Sequence, residues 1–68
     1  MEKNAANLNA HLTAGGTVYV STMTRITKYT KRHAGMFVDG ADGLYVQHGK
    51  SRLYLGRPDR LLVGITCR

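Results

Sequence analysis

Apolar and polar positions along this chain fall into two regimes, divided at Gly15-Gly16. Before the glycine pair, Ala5, Leu8 and Leu12 recur at i, i+3 and i+7. That spacing lines one helical face and predicts a short helix over residues 2–12. Three asparagines in that stretch lower its helix propensity. A helix so short is marginal in water by itself, so it must dock on the rest of the chain or remain a mobile arm. Residues 1–16 are therefore read as an N-terminal helix or arm, and residues 17–68 as a single small β domain.

Beyond the glycines the period changes to two. The run Thr17 to Thr30, TVYVSTMTRITKYT, is rich in β-branched and aromatic residues, as strands are. It is too long for one ordinary strand, and Met23 and Ile26 fall out of step with Val18 and Val20, so a bulge or tight bend is expected near Thr22–Thr24. Lys31 to Gly35 reads as a loop, Met36-Phe37-Val38 as a short apolar strand and Asp39 to Gly43 as a turn.

The clearest pattern follows. Leu44 to His48 and Ser51 to Leu55 alternate around Gly49-Lys50, and glycine at the first central position suits a two-residue type II′ hairpin. That turn pairs His48 with Ser51, Gln47 with Arg52, Val46 with Leu53, Tyr45 with Tyr54 and Leu44 with Leu55. All five pairs match in character, whereas a slip of one residue would mix the faces. Gly56 to Arg60 reads as a loop around Pro58, and Leu61 to Cys67 as one last strand, apolar on both faces apart from Thr66 and hence central or covered.

These elements predict a mainly β protein. It is a small antiparallel sheet of about five strands, curled toward a barrel of SH3-like or OB-like kind, with the short N-terminal helix or arm. The alternative is an open sheet with that helix packed on one face.

Length and cysteine content sharpen the picture. A chain of 68 residues makes one domain and buries a small core, so a staple, a partner or self-association is expected. The single cysteine, Cys67, excludes an intrachain disulfide and fits a reducing compartment. Met1 to Leu12 has no apolar run of a targeting signal, and nothing approaches the roughly 20 apolar residues of a membrane span. The expectation is a cytoplasmic protein without a membrane partner. Because Leu61-Leu62-Val63-Gly64-Ile65 needs cover on two faces, a symmetric homodimer is expected.

Charge points to the partner. Ten Lys and Arg face four Asp and Glu, a formal net charge of +6. Between Lys3 and Val38 there is no acidic residue, while Arg25, Lys28, Lys31 and Arg32 crowd together with His33 beside them. Such a surplus favours nucleic acid or the acidic face of a host protein. If Arg25 to Tyr29 is a strand, Arg25, Thr27 and Tyr29 share one face while Ile26 and Lys28 take the other. A second candidate surface is the hairpin face carrying Tyr45, Gln47, Arg52 and Tyr54. Tyrosines beside an arginine make single-strand platforms and interface hot spots, unless the N-terminal helix covers them.

Catalysis needs convergent groups, and the chain offers none. Its aspartates lie in turns or loops, and no histidine has a cysteine or carboxylate at ligand spacing. No catalytic residue, metal ligand or cofactor is expected, and the protein reads as a binder rather than an enzyme.

The segments VYVSTMTRITKY (Val18–Tyr29), RHAGMF (Arg32–Phe37) and LYVQHGKSRLYL (Leu44–Leu55) resemble short uncharacterised proteins of phages and prophages. The resemblance covers about two thirds of the chain and carries over no functional residue. It implies an accessory gene product that binds host or viral macromolecules, in the host cytoplasm if phage-encoded. Nucleic-acid binding is the favoured function. The alternative is an inhibitor or adaptor that binds and blocks a host protein, such as a defence-system component.

Overall fold

The computed structural model describes residues Met1–Arg68. One helix, α1 (Ala5–Thr13), precedes seven strands: β1 (Val18–Ser21), β2 (Ile26–Tyr29), β3 (Phe37–Gly40), β4 (Gly43–His48), β5 (Ser51–Arg57), β6 (Arg60–Leu61) and β7 (Gly64–Cys67). A single 3-10 turn, Lys31–His33, sits between β2 and β3. The chain is mainly β, as expected, but the strands form two antiparallel sheets, ordered β2-β1-β7 and β3-β4-β5-β6. They do not close into a barrel.

The N-terminal segment docks. Asn4 caps the helix, its side-chain oxygen accepting from the Asn7 N–H at 2.8 Å. At the other end Gly15, at φ +95°, donates its N–H to the Leu12 carbonyl, and Gly16 donates to that of His11. These two bonds make a Schellman stop that satisfies the last helical carbonyls. Ala5, Leu8 and Leu12 are buried on the face the spacing indicated. Asn9 secures the helix to the edge strand β3. Its Oδ1 accepts from the Gly35 and Phe37 N–H groups, and its Nδ2 donates to the Phe37 carbonyl at 2.9 Å.

The run from Thr17 is a hairpin. The expected bend falls at Thr22–Arg25, where the Thr22 N–H donates to the Arg25 carbonyl at 2.9 Å. Val18 and Val20 point inward and pair with Tyr29 and Thr27 on one side and with Cys67 and Ile65 on the other. The β4–β5 hairpin has the register read from its turn: Tyr45↔Tyr54, Val46↔Leu53, Gln47↔Arg52 and His48↔Ser51. Gly49 has φ +59° and Lys50 is not in the positive region, as a type II′ turn requires.

Four expectations are corrected. Leu44 pairs with Gly56 rather than Leu55. A bulge at Leu55-Gly56 lets Leu44 and Leu55 both reach the core while β5 bends. Gly56 does not begin a loop. β5 runs on to Arg57, and Pro58-Asp59 alone turn the chain into β6, with Gly56 facing Leu61 and Arg57 facing Arg60. Likewise β3 extends to Gly40, leaving Ala41-Asp42 as the turn. Finally, Leu61 to Cys67 is not one central strand. The chain leaves the four-stranded sheet after Leu61 and joins the other as the edge strand β7. There Ile65 and Cys67 pack against the core while Gly64 and Thr66 face outward. The apolar run on both faces thus resolves into a partner for each sheet, and only Leu62, 70 % exposed, is left uncovered.

The core is one cluster. The inner faces of both sheets contribute Val18, Val20, Tyr29, Phe37, Leu44, Val46 and Leu55, and α1 adds Ala5, Leu8 and Leu12. No helix is long and apolar enough to cross a membrane.

Candidate nucleic-acid interface

The alternation that buries Val18 and Val20 also decides where the cations go. On the β2 side, Tyr29 is buried and Thr27 half-buried, while Ile26 and Lys28 face outward. Arg25 falls on the inner side with Thr27 and Tyr29. All three line a cleft of about 440 Å³ between the β1–β2 hairpin and the His48–Leu53 end of the β4–β5 hairpin. Lys28 lies on the outer face, opposite Tyr19. Lys31 and Arg32 stand exposed on the 3-10 turn. The basic run is therefore not one patch: Arg25 enters the cleft, Lys28 takes the opposite face, and Lys31 and Arg32 stand on the turn beyond β2.

Tyr29 closes the inner end of the cleft. Its ring is 2 % exposed and stands edge-on to Phe37 at 5.2 Å and to His33 at 5.6 Å. Its hydroxyl reaches His48 Nε2 at 2.8 Å. Burial holds the Tyr29 hydroxyl above the usual tyrosine range, and the Arg25 charge works against that rise. The phenol stays protonated at neutral pH and can donate. No carboxylate lines the cleft.

The tyrosine face lies half-exposed on the outer side of the four-stranded sheet, because α1 packs with the inner faces instead. Tyr45 and Tyr54 face each other with ring centroids 5.0 Å apart. One turn residue fixes both: the Tyr45 hydroxyl donates to the Asp42 carboxylate at 2.9 Å, and the Tyr54 hydroxyl donates to the Asp42 carbonyl at 2.7 Å. The carboxylate holds the Tyr45 hydroxyl above its usual range. Arg52 Nε donates to Gln47 Oε1 at 3.1 Å, and its guanidinium lies 6.0 Å from the Tyr45 ring centre. Arg52 also lines the cleft. Its guanidinium, however, is committed to the outer face, so Arg52 is the point where cleft and tyrosine face meet.

Charge is segregated across the molecule. Glu2, Asp39 and Asp42 all line one hollow beside the helix N-terminus. Asp59 makes the one ion pair, with Arg57 at 3.5 Å, and Arg57 lines the same hollow. All four acids are thereby gathered at or beside one hollow. Arg25, Lys28, Lys31, Arg32, Lys50 and Arg52 have no acidic partner.

Periodicity placed Arg25 with Tyr29 and placed the tyrosines with Arg52. It missed His48 and Ser51 as parts of the cleft. The signal available for His48 was its position beside the Gly49 turn, at the hairpin end where a polar side chain on the inner face escapes the core. No family model, no curated protein and no solved structure matches the chain.

Proposed function

We propose that the protein binds nucleic acid through the basic end of the molecule, with Arg25, Lys31, Arg32 and Arg52 meeting phosphates and the Tyr45–Tyr54 face meeting bases. The observation that carries this reading is the gathering of all the acidic side chains at or beside one hollow, which leaves the cleft and its surroundings with uncompensated positive charge. Phosphate contacts of this kind give binding that weakens steeply with salt, and half-exposed aromatic rings add stacking that tolerates any base. The protein acts as a binder and not as an enzyme. The resemblance to phage and prophage proteins implies a target in the host cytoplasm if the chain is phage-encoded. Anisotropy titration of labelled single strands and duplexes across a salt series tests this reading. Absence of binding to either at low salt refutes it.

An inhibitor or adaptor role on an acidic host protein is the second reading. It is favoured by Met23 and Ile26, 105 % and 69 % exposed on the β1–β2 hairpin beside Arg25 and Lys28. Apolar anchors rimmed by cations suit a protein surface better than a phosphate backbone. Self-association as a symmetric dimer draws on the exposed Leu62 and on the open edges of both sheets.

A further inference from the structure

The cleft between the two hairpins has the makings of more than a charged surface. Its donors come from separate elements: the Arg25 guanidinium from the turn before β2, the Tyr29 hydroxyl from the end of that strand, and His48 and Ser51 from either side of the Gly49 turn. Its floor includes the Tyr29 ring and Val20, both almost fully buried. Its volume of about 440 Å³ is that of a small-ligand site. Of these donors the Tyr29 hydroxyl belongs to a buried residue, while Arg25, His48 and Ser51 are exposed around it and open to a ligand arriving from solvent.

We infer that this cleft is a phosphate subsite that seats one backbone phosphate of a single strand against Arg25, the Tyr29 hydroxyl and His48. The inference rests on the nucleic-acid reading and narrows it. A single strand bends at every phosphate and can lower one between the two hairpins. A duplex holds its phosphates at fixed spacing on a stiff rod and cannot. From the cleft the next step along the strand crosses Arg52 and reaches the Tyr45–Tyr54 face, where an unstacked base finds a ring to stack on.

The Tyr29–His48 hydrogen bond gives this subsite a proton link. With a neutral imidazole, Nε2 can accept from the Tyr29 hydroxyl, and the phenolic hydrogen is then spent inside the pair. A protonated imidazole can only donate. Nε2–H then points at the Tyr29 oxygen, and the phenolic hydrogen is free to turn toward a phosphate oxygen. The polar groups lining the cleft with His48 are Thr22, Arg25, Thr27 and Tyr29 from the first hairpin and Ser51 from β5, with Arg52 at the rim. None is a carboxylate, so the bound phosphate supplies the one negative charge there. A protonated His48 therefore holds a phosphate more tightly than a neutral one, through its charge and through the hydroxyl it frees.

The test is an amide-resonance titration of the full chain with inorganic phosphate, repeated with a short single-stranded oligonucleotide and its duplex. Both phosphate and single strand are expected to move the resonances of Thr22–Tyr29 and His48–Leu53. The strand is expected to move those of Tyr45 and Tyr54 as well. Arg25→Ala, at an exposed position outside the core, weakens strand binding about tenfold or more, the loss of one charge-assisted contact. His48→Gln, which keeps a polar side chain but can carry no charge, is expected to bind phosphate more weakly than the parent. Phosphate that moves no cleft resonance, or a strand that binds Arg25→Ala as tightly as the parent, overturns the subsite and leaves the nucleic-acid reading standing. A duplex that fills the cleft as tightly as the single strand overturns the choice of strand. Phosphate that saturates the cleft while neither strand nor duplex binds overturns the subsite as stated together with the nucleic-acid reading.

Discussion

The Tyr29 hydroxyl and His48 Nε2, 2.8 Å apart, form the one side-chain hydrogen bond that runs from a strand of one sheet to a strand of the other. Behind it the inner faces of the two sheets share one apolar core. Tyr29 thus has two roles at once. Its ring belongs to the core with Phe37 and Val18, and its hydroxyl ties the β1–β2 hairpin to the end of β4. Tyr29→Phe keeps the ring and removes the tie, and it is expected to cost about 0.5–1.5 kcal/mol. Tyr29→Ala removes both and is expected to cost about 3–5 kcal/mol, enough to unfold much of so small a domain. Urea denaturation of the two variants separates the roles. Equal losses would show that the hydroxyl, not the ring, carries the contribution.

The same residue sets an alkaline limit. Burial raises the Tyr29 pKa above the usual value near 10, with the Arg25 charge opposing it. The folded state therefore favours the neutral phenol more than the unfolded chain does. For a group whose folded pKa is raised, the stabilisation is complete below the unfolded pKa and is lost as pH rises through the folded one. Melting temperature is expected to fall as pH rises from about 10 upward, and Tyr29→Phe is expected to lose that part of the decline. Arg25→Ala removes the opposing charge, so phenolate absorbance in that variant should show Tyr29 ionising at still higher pH. An unchanged or lowered ionisation would mean that Arg25 does not face the hydroxyl.

Two glycines share a left-handed backbone for different reasons. Gly49, at φ +59°, has nothing within 4 Å of where a Cβ would stand. A side chain there meets only backbone strain, and Gly49→Val is expected to cost about 1 kcal/mol or more. Gly56, at φ +102°, would drive a Cβ to 2.7 Å from the Leu62 N and 3.0 Å from the Arg60 carbonyl oxygen. Both neighbours are backbone and cannot swing aside. Gly56→Ala therefore combines the strain of about 1–2 kcal/mol with a clash at the point where the chain leaves the sheet after β6. Denaturant midpoints should place Gly56→Ala clearly below Gly49→Ala, and the reverse order would remove the bulge from this account.

Asn9 is a small residue with three backbone partners, at Gly35 and Phe37. Asn9→Ala leaves the Phe37 N–H and C=O on the β3 edge without the helix. A loss of about 1–3 kcal/mol is expected, with amide exchange at Gly35 and Phe37 accelerating ahead of the rest. Uniform acceleration across the chain would instead place the effect on the helix itself.

The β4–β5 hairpin was legible because turn chemistry and alternation gave the same register independently, and Tyr45, Gln47, Arg52 and Tyr54 came out on one face for that reason. The division into two sheets was not. In Leu61 to Cys67 nearly every position is apolar, so period two carries no contrast, and the crossing at Leu62-Val63 leaves no mark. Gly56 did leave one, since a glycine inside a strand signals a bulge or a close backbone approach, and its neighbour Pro58 drew the reading toward a loop. The cleft was half legible. Alternation tells which face of its own strand a residue takes, which put Arg25 with Tyr29. It does not tell which two faces meet, and Tyr29 and His48 belong to different sheets.

That division of the cations makes the salt dependence a discriminating measurement. Each phosphate contact contributes about 0.7 to the slope of log K against log salt for a single strand and about 0.9 for a duplex. Replacing Arg25, Lys28, Lys31 and Arg32 together by alanine flattens the slope under any phosphate-binding model. The single replacements do not act alike. Arg25 lies in the cleft beside the His48 end of the other hairpin, whereas Lys28 faces away from it across the strand, opposite Tyr19. A strand held in the cleft loses about one contact with Arg25→Ala and keeps its slope with Lys28→Ala. Equal losses at the two positions would mean a ligand drawn by the general positive field and not seated in the cleft. Tight binding that is indifferent to salt in the parent chain would remove phosphates from the account. It would leave the exposed Met23 and Ile26, with their rim of cations, as the anchor for a protein partner.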